Sequence, residues 1–178
     1  MKLLYIICSL LLSSIAFAQT TSKTFGKWTV YVDKDPYENK TYLHMRTPIY
    51  EPLIKADLKL VFNFDSIGNV SKCSVVLVDP LPSKYIYFTQ EKRAEIGSQS
   101  NIYINVAGVM EKKYLIFDKY GWSDYWGEQA VELVNLFSKG TDGALKYYTI
   151  TDYYKYSLVG FSAAYNYYKE QFKIVYKK

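Results

Sequence analysis

The chain reads as a mainly β protein, a single-domain antiparallel β-sandwich with two short helices in its C-terminal half. Three observations predict this. Apolar residues alternate with polar ones in several separate segments, the pattern of strands with one buried face. Pro, Gly and Asn cluster between those segments, as turns require. Helical spacing appears only after Trp126. The 178 residues are 49% hydrophobic and 22% charged, proportions suited to one globular domain and unlike a disordered chain.

Met1–Ala18 carries Lys2, an apolar run over residues 3–12 and the small-x-small triplet Ala16-Phe17-Ala18, which predicts a cleaved signal peptide. The run is shorter than the ~20 residues of a spanning helix, so no membrane span is expected after cleavage. Cys8 lies too near Lys2 to mark a lipoprotein. Export to the periplasm or extracellular space follows. Loss of Lys2 leaves 21 of the 22 basic residues against 17 acidic ones, a mild +4. That charge is spread along the chain, which argues against nucleic acid as a partner. Gln19–Thr24 is polar and predicts a flexible lead-in. The domain is expected over residues 25–173, with a basic tail at 174–178.

Within the domain, Trp28, Val30 and Val32 predict the inner face of a first strand. Residues 34–40 form a turn, and Thr41–Thr47 returns. Pro48 and Pro52 bound an irregular link. Leu58, Leu60, Phe62 and Phe64 lead into the Ser66-Ile67-Gly68-Asn69 turn, and residues 70–79 return with Cys73, Val75 and Leu77 on one side. Pro80 and Pro82 end that strand. Short strands are expected at 84–89, 101–107 and 113–117, with a loop over 90–100. Residues 130–137 predict a helix capped by Ser123 or Asp124 and ended at Gly140. Strands at 144–151 and 153–161 precede a last helix over 162–172, with Ser162 as its N-cap.

Chemistry-bearing residues are few. His44 is the only histidine, so no Ser-His-Asp or Cys-His arrangement is signalled and a zinc site is not expected. Asp33, Asp35 and Glu38 surround the first turn, yet Pro36 and the lack of a central Gly speak against a calcium loop. Glu38, Glu51, Glu91, Glu95 and Glu128 are available as hydrolase carboxylates, without a setting that marks any pair. Cys73 shares the face of Val75 and predicts a buried thiol; exposed, it would link two chains. No catalytic residue, metal or cofactor is expected. The aromatic content is the unusual feature, with 20 Tyr, 9 Phe and 3 Trp. Trp122, Tyr125 and Trp126 lie between Gly121 and Gly127, which predicts an aromatic loop and candidate binding residues, set against rings that plug one end of the sandwich. Tyr147, Tyr148, Tyr153, Tyr154 and Tyr156 interleave with Lys146 and Lys155. They are ordinary residues of a two-sided strand, or a binding face if the sheet is exposed.

Gly26-Lys27-Trp28-Thr29-Val30 followed by Asp35-Pro36, then Leu58-Lys59-Leu60-Val61-Phe62, Thr149-Ile150-Thr151 and Leu158-Val159-Gly160-Phe161, resemble the VasI family of secreted proteins encoded with type VI secretion systems. The invasion-associated locus B proteins share a similar layout. Where the VasI pattern ends its third strand in Arg-Cys, this chain has Asn63-Phe64, and a second cysteine near the C-terminus is missing. Both resemblances imply a β-sandwich outside the cytoplasm, and neither implies a catalytic residue. The expected function is a secreted, non-catalytic binding or accessory protein of the cell envelope with an envelope or extracellular protein partner. The alternative is a small carbohydrate-binding module that grips glycan through Trp122, Tyr125 and Trp126.

Overall fold

The computed structural model describes residues 19–35, 37–50, 57–78, 100–116, 122–146 and 153–176. The expected signal peptide (1–18), the strand at 84–89 and Tyr147 and Tyr148 lie outside these residues. Among the described residues the chain is mostly strand, with two helices in its C-terminal half. Its strands are β1 (Gln19–Phe25), β2 (Trp28–Asp35), β3 (Lys40–Tyr50), β4 (Asp57–Phe64), β5 (Val70–Val78), β6 (Asn101–Val106), β7 (Val109–Tyr114), β8 (Trp122–Trp126), β9 (Asp142–Lys146) and β10 (Tyr154–Ser157). The helices are α1 (Glu128–Lys139) and α2 (Phe161–Tyr176).

All the pairings are antiparallel. One run of the sheet is β1-β2-β3-β4-β5-β8 and the other is β7-β6-β9-β10, and β3 belongs to both. β3 pairs with β2 up to Arg46 and then, past Pro48, with β10 at Ile49 and Tyr50. A proline has no N–H to give a ladder, so it is tolerated where a strand changes partners. Residues 48–50, expected in an irregular link, are thereby the corner at which the sheet turns over its own core.

The alternation read from the sequence sets the inner face. Trp28, Val30, Met45, Leu58, Leu60, Phe62, Cys73 and Val75 are buried from one run, and Ile102, Ile104, Leu145, Tyr154 and Tyr156 from the other, in one core. α1 adds Ala130, Leu133, Val134 and Phe137, and α2 adds Phe161, Ala164 and Tyr168. Trp28 ties the layers together: its ring lies 5.2 Å from Phe161 and 6.3 Å from Phe137, and its Nε1–H donates to the Ser157 carbonyl at 3.0 Å.

The terminal strands of the sheet order, β7 and β8, also meet. The Tyr125 hydroxyl donates to the Tyr114 carbonyl at 2.6 Å, and the Ile116 N–H donates to Ser123 Oγ at 3.1 Å. Side chains thus bridge the two ends of the curled sheet.

Several local expectations change. Gln19–Thr24 is not a flexible lead-in, because its backbone pairs with β2 from Gln19–Lys34 to Phe25–Trp28. The Gly-flanked Trp122–Trp126 segment is a strand, because its backbone pairs with β5. α1 begins after Gly127, without a side-chain cap from Ser123 or Asp124. α2 starts at Phe161, so Ser162 lies inside its first turn and its hydroxyl donates to the Ser138 carbonyl. Residues 174–176 continue that helix instead of forming a tail. Tyr176 packs on Phe172 at 4.7 Å, and its hydroxyl donates to the Thr41 carbonyl at 2.8 Å.

Candidate functional site

Opposed residues of an antiparallel ladder point to the same side of the sheet. On β8 this separates the three candidate rings. Tyr125 faces inward beside Cys73 and is only 8% exposed. Trp122 and Trp126 face outward, where Trp122 is half-buried and Trp126 is 60% exposed. Lys59 lies over Trp122 at 5.5 Å and Lys72 over Trp126 at 4.6 Å, while Lys72 also pairs with Asp124 at 2.6 Å. The trio is therefore not one aromatic platform, because strand geometry sends neighbouring side chains to opposite faces.

The same outer face carries His44 on β3. The imidazole is 3% exposed, stacks on Tyr31 at 5.0 Å and places Nδ1 3.4 Å from Asp33 Oδ2. Burial, with Lys59 and Arg46 alongside, pulls its pKa down from 6.5 to about 4 against a smaller opposing pull from Asp33. Nε2 is buried with no hydrogen-bond partner among the described residues. Asp35 is occupied in its turn, accepting from the N–H groups of Tyr37 and Glu38, and Glu38 pairs with Lys40 at 2.7 Å. Among the described residues no three His, Cys, Asp or Glu side chains are grouped to hold a metal ion. Cys73 is fully buried, and burial pushes its thiol pKa well up, the setting of an inert core cysteine.

A different surface gathers chemistry, on the outer side of β7, β6, β9 and β10. Register pairs Asn105 with Met110, Tyr103 with Lys112 and Asn101 with Tyr114. It continues from Tyr103 to Ala144, from Asn101 to Lys146, and from Ala144 to Lys155. Tyr153 immediately precedes β10, with its ring 5.5 Å from Tyr103 in an edge contact. Tyr114 is 62% exposed and Tyr153 43%, and Tyr103 is half-buried between them. Lys112 lies over Tyr114 at 4.9 Å and Lys146 over Tyr153 at 5.1 Å. Burial and the neighbouring Tyr153 hydroxyl hold the Tyr103 proton more tightly than usual. None of Lys112, Lys146 and Lys155 is ion-paired with a described residue. Among the described residues, the carboxylate on this face, Asp142, accepts from Asn105 Nδ2 at 3.2 Å and Thr141 Oγ1 at 2.7 Å. The face is aromatic, positive and open.

The sequence pointed to half of this surface. Of the tyrosines interleaved with Lys146 and Lys155, Tyr154 and Tyr156 turn inward, and Tyr153 turns outward with both lysines. Tyr103, Tyr114 and Lys112 carry no such mark in the sequence, because only the β6-β9 pairing brings them beside Tyr153. The period-two pattern from Tyr103 was the available signal, but it says nothing about which strand lies next.

No family model matches the chain, and no curated protein matches it. Among solved structures, the crystal structure of invasion associated protein B from Bartonella henselae is similar, with a TM-score of 0.51. The match covers 86% of this chain and 99% of that one at 14% identity. At that identity it shows a shared fold, in line with the layout that resembles the invasion-associated locus B proteins. The VasI resemblance rests on the residues that suggested it.

Proposed function

We propose that the chain is an exported, non-catalytic binding protein of the cell envelope, in which the tyrosine and lysine face of β6, β7, β9 and β10 holds a protein partner. The observation that carries this reading is the group of Tyr103, Tyr114 and Tyr153 at the surface beside three lysines that are not ion-paired with a described residue. Exposed tyrosines offer large, stiff contact area with a polar tip, and such residues dominate binding energy at protein interfaces. The invasion-associated name of the similar structure supports an accessory role, and the Met1–Ala18 pattern supports export. A link to a secretion system, implied by the VasI resemblance, belongs to the same proposal. No described helix is long and apolar enough to cross a membrane. The glycan alternative is weaker than at the sequence level, since Tyr125 leaves the surface it relied on.

The test compares the wild type with a Tyr103→Ser, Tyr114→Ser, Tyr153→Ser variant, both immobilised and exposed to envelope extract. The reading expects one dominant protein on the wild type, reduced at least about tenfold on the variant, with unchanged circular dichroism. Equal retention by the variant, or retention of cell-wall polymer in place of protein, overturns it.

A further inference from the structure

We infer that the open edge of β7 takes an extended acidic segment of the partner as an added antiparallel strand, paired along Met110 and Lys112, with its carboxylates beside Lys112 on the side of the sheet that also carries Lys146 and Lys155. This rests on the protein-binding reading above and adds the mode of binding and the charge of the partner.

The backbone argument begins at the hairpin. Val106 pairs with Val109 across a two-residue turn, in which Ala107 and Gly108 both have positive φ, 53° and 87°. In such a hairpin the flanking pair exchanges both hydrogen bonds, and alternate residues then bond inward. The Leu115 N–H, in phase with Val109, donates to the Ser100 carbonyl at 2.9 Å, which fits that phase. Met110, Lys112 and Tyr114 therefore turn N–H and C=O away from β6. The Tyr114 carbonyl is taken by Tyr125, and the next outward N–H, that of Ile116, by Ser123. Those of Met110 and Lys112 have no partner among the described residues. Both residues are exposed, and Val109 and Glu111 beside them are too.

Native edge strands are commonly shielded by charge, bulges or covering elements. β7 carries Glu111, Lys112 and Lys113, yet it also leaves Val109, Met110 and Tyr114 in solvent. An added strand would satisfy the backbone groups and cover the apolar side chains, and alternate side chains would lie on the lysine face. The charge sets the partner: three cations that are not ion-paired with any described residue attract carboxylates, and repel a basic segment. A polysaccharide has no use for the strand edge, so the pairing groups favour a peptide.

The experiment selects from a displayed library of random linear peptides on the wild-type protein, then synthesises the enriched sequence. Support is enrichment of Asp or Glu at alternating positions, with affinity that falls about tenfold for a Lys112→Glu, Lys146→Glu variant and falls similarly for Met110→Pro. Should Met110→Pro misfold, hydrogen exchange on the wild type decides: the peptide must slow the Met110 and Lys112 amides. Enrichment of neutral or basic peptides, no enrichment, or no protection of those amides overturns the inference. Acidic peptides that lose affinity with the tyrosine variant yet leave those amides unprotected overturn strand addition while the protein-binding reading stands. Binding of an anionic polysaccharide alone overturns both.

Discussion

At neutral pH the His44 imidazole is uncharged, because folding has stripped its water and set Arg46 and Lys59 beside it. The sequence showed a histidine inside a strand and nothing to mark its neighbours, since Asp33 reaches it across the β2-β3 ladder, where Tyr31 faces His44. The consequence is a pH dependence of stability. The unfolded chain protonates His44 near 6.5 and the folded one near 4, so over this window the unfolded state holds more protons. Stability is then lost as pH falls from about 6.5 towards 4, by up to roughly 3 kcal/mol for this gap. Asp57, raised by burial, offsets part of it in the opposite direction. His44→Phe keeps a ring against Tyr31 and removes the proton site, so denaturant midpoints measured across that window should flatten. An unchanged slope would assign the acid sensitivity to other groups. Tyr168 offers a second single-residue test. Its buried hydroxyl lies 3.0 Å from the Leu43 carbonyl and 3.2 Å from the Phe62 carbonyl, and it accepts from the Phe62 N–H at 3.0 Å. It stands just beyond Met45–Leu60, where the β3-β4 ladder ends, so a helix side chain serves backbone groups that the ladder leaves. Tyr168→Phe should lower unfolding free energy by about 1–3 kcal/mol in urea melts.

Elements were legible where one face is buried. β2, β4, β5 and β6 show their inward residues directly in the alternation, and α1 shows its stripe. β1 has no apolar alternation, since its residues 20–24 are exposed and it is held by backbone pairing that leaves no trace in side-chain type. β7 escaped for the same reason, being exposed along most of its length, and the strand expected at 113–117 lies at Val109–Tyr114. In β8 the flanking glycines suggested a loop, yet the alternation of Ser123 and Tyr125 against Trp122, Asp124 and Trp126 was present. Glycines give the test at this scale. The β1-β2 turn touches the start of α2: the Lys27 N–H donates to the Val159 carbonyl at 2.9 Å, and a Cβ on Gly160 would lie 2.0 Å from the Phe25 carbonyl oxygen. Gly108 has nearly the same φ, 87° against 91°, and nothing within 4 Å of its added Cβ. Gly108→Ala should therefore show backbone strain alone, about 1–2 kcal/mol. Gly160→Ala adds the backbone collision and should exceed roughly 3 kcal/mol by chemical denaturation. Equal effects would mean that the turn and the helix are free to separate.

At the scale of the molecule, the candidate face exists because the second run of the sheet aligns residues from 103 to 155 on one side. Composition announced many tyrosines; register decided which of them meet solvent, and register between distant strands is not written in local pattern. The same closure makes a seam between β7 and β8, which no backbone ladder joins. Tyr125, offered by the sequence as a ligand-gripping ring, spends its hydroxyl on the Tyr114 carbonyl across this seam, and burial raises its pKa well above the usual tyrosine value. Lys113 on β7 adds a contact to Glu132 on α1 at 2.5 Å. Tyr125→Phe should preserve the ring's packing beside Cys73 and lose one hydrogen bond, about 1 kcal/mol. If the seam opens as a local unit, amide exchange will speed up at Tyr114, Leu115 and Ile116 while β2, β3 and β4 keep their protection. Uniform acceleration would instead mean that the two sheet ends separate only in global unfolding. Because Tyr114 belongs both to the seam and to the tyrosine face, local opening should also weaken partner capture by Tyr125→Phe, although Tyr125 itself lies on the inner side.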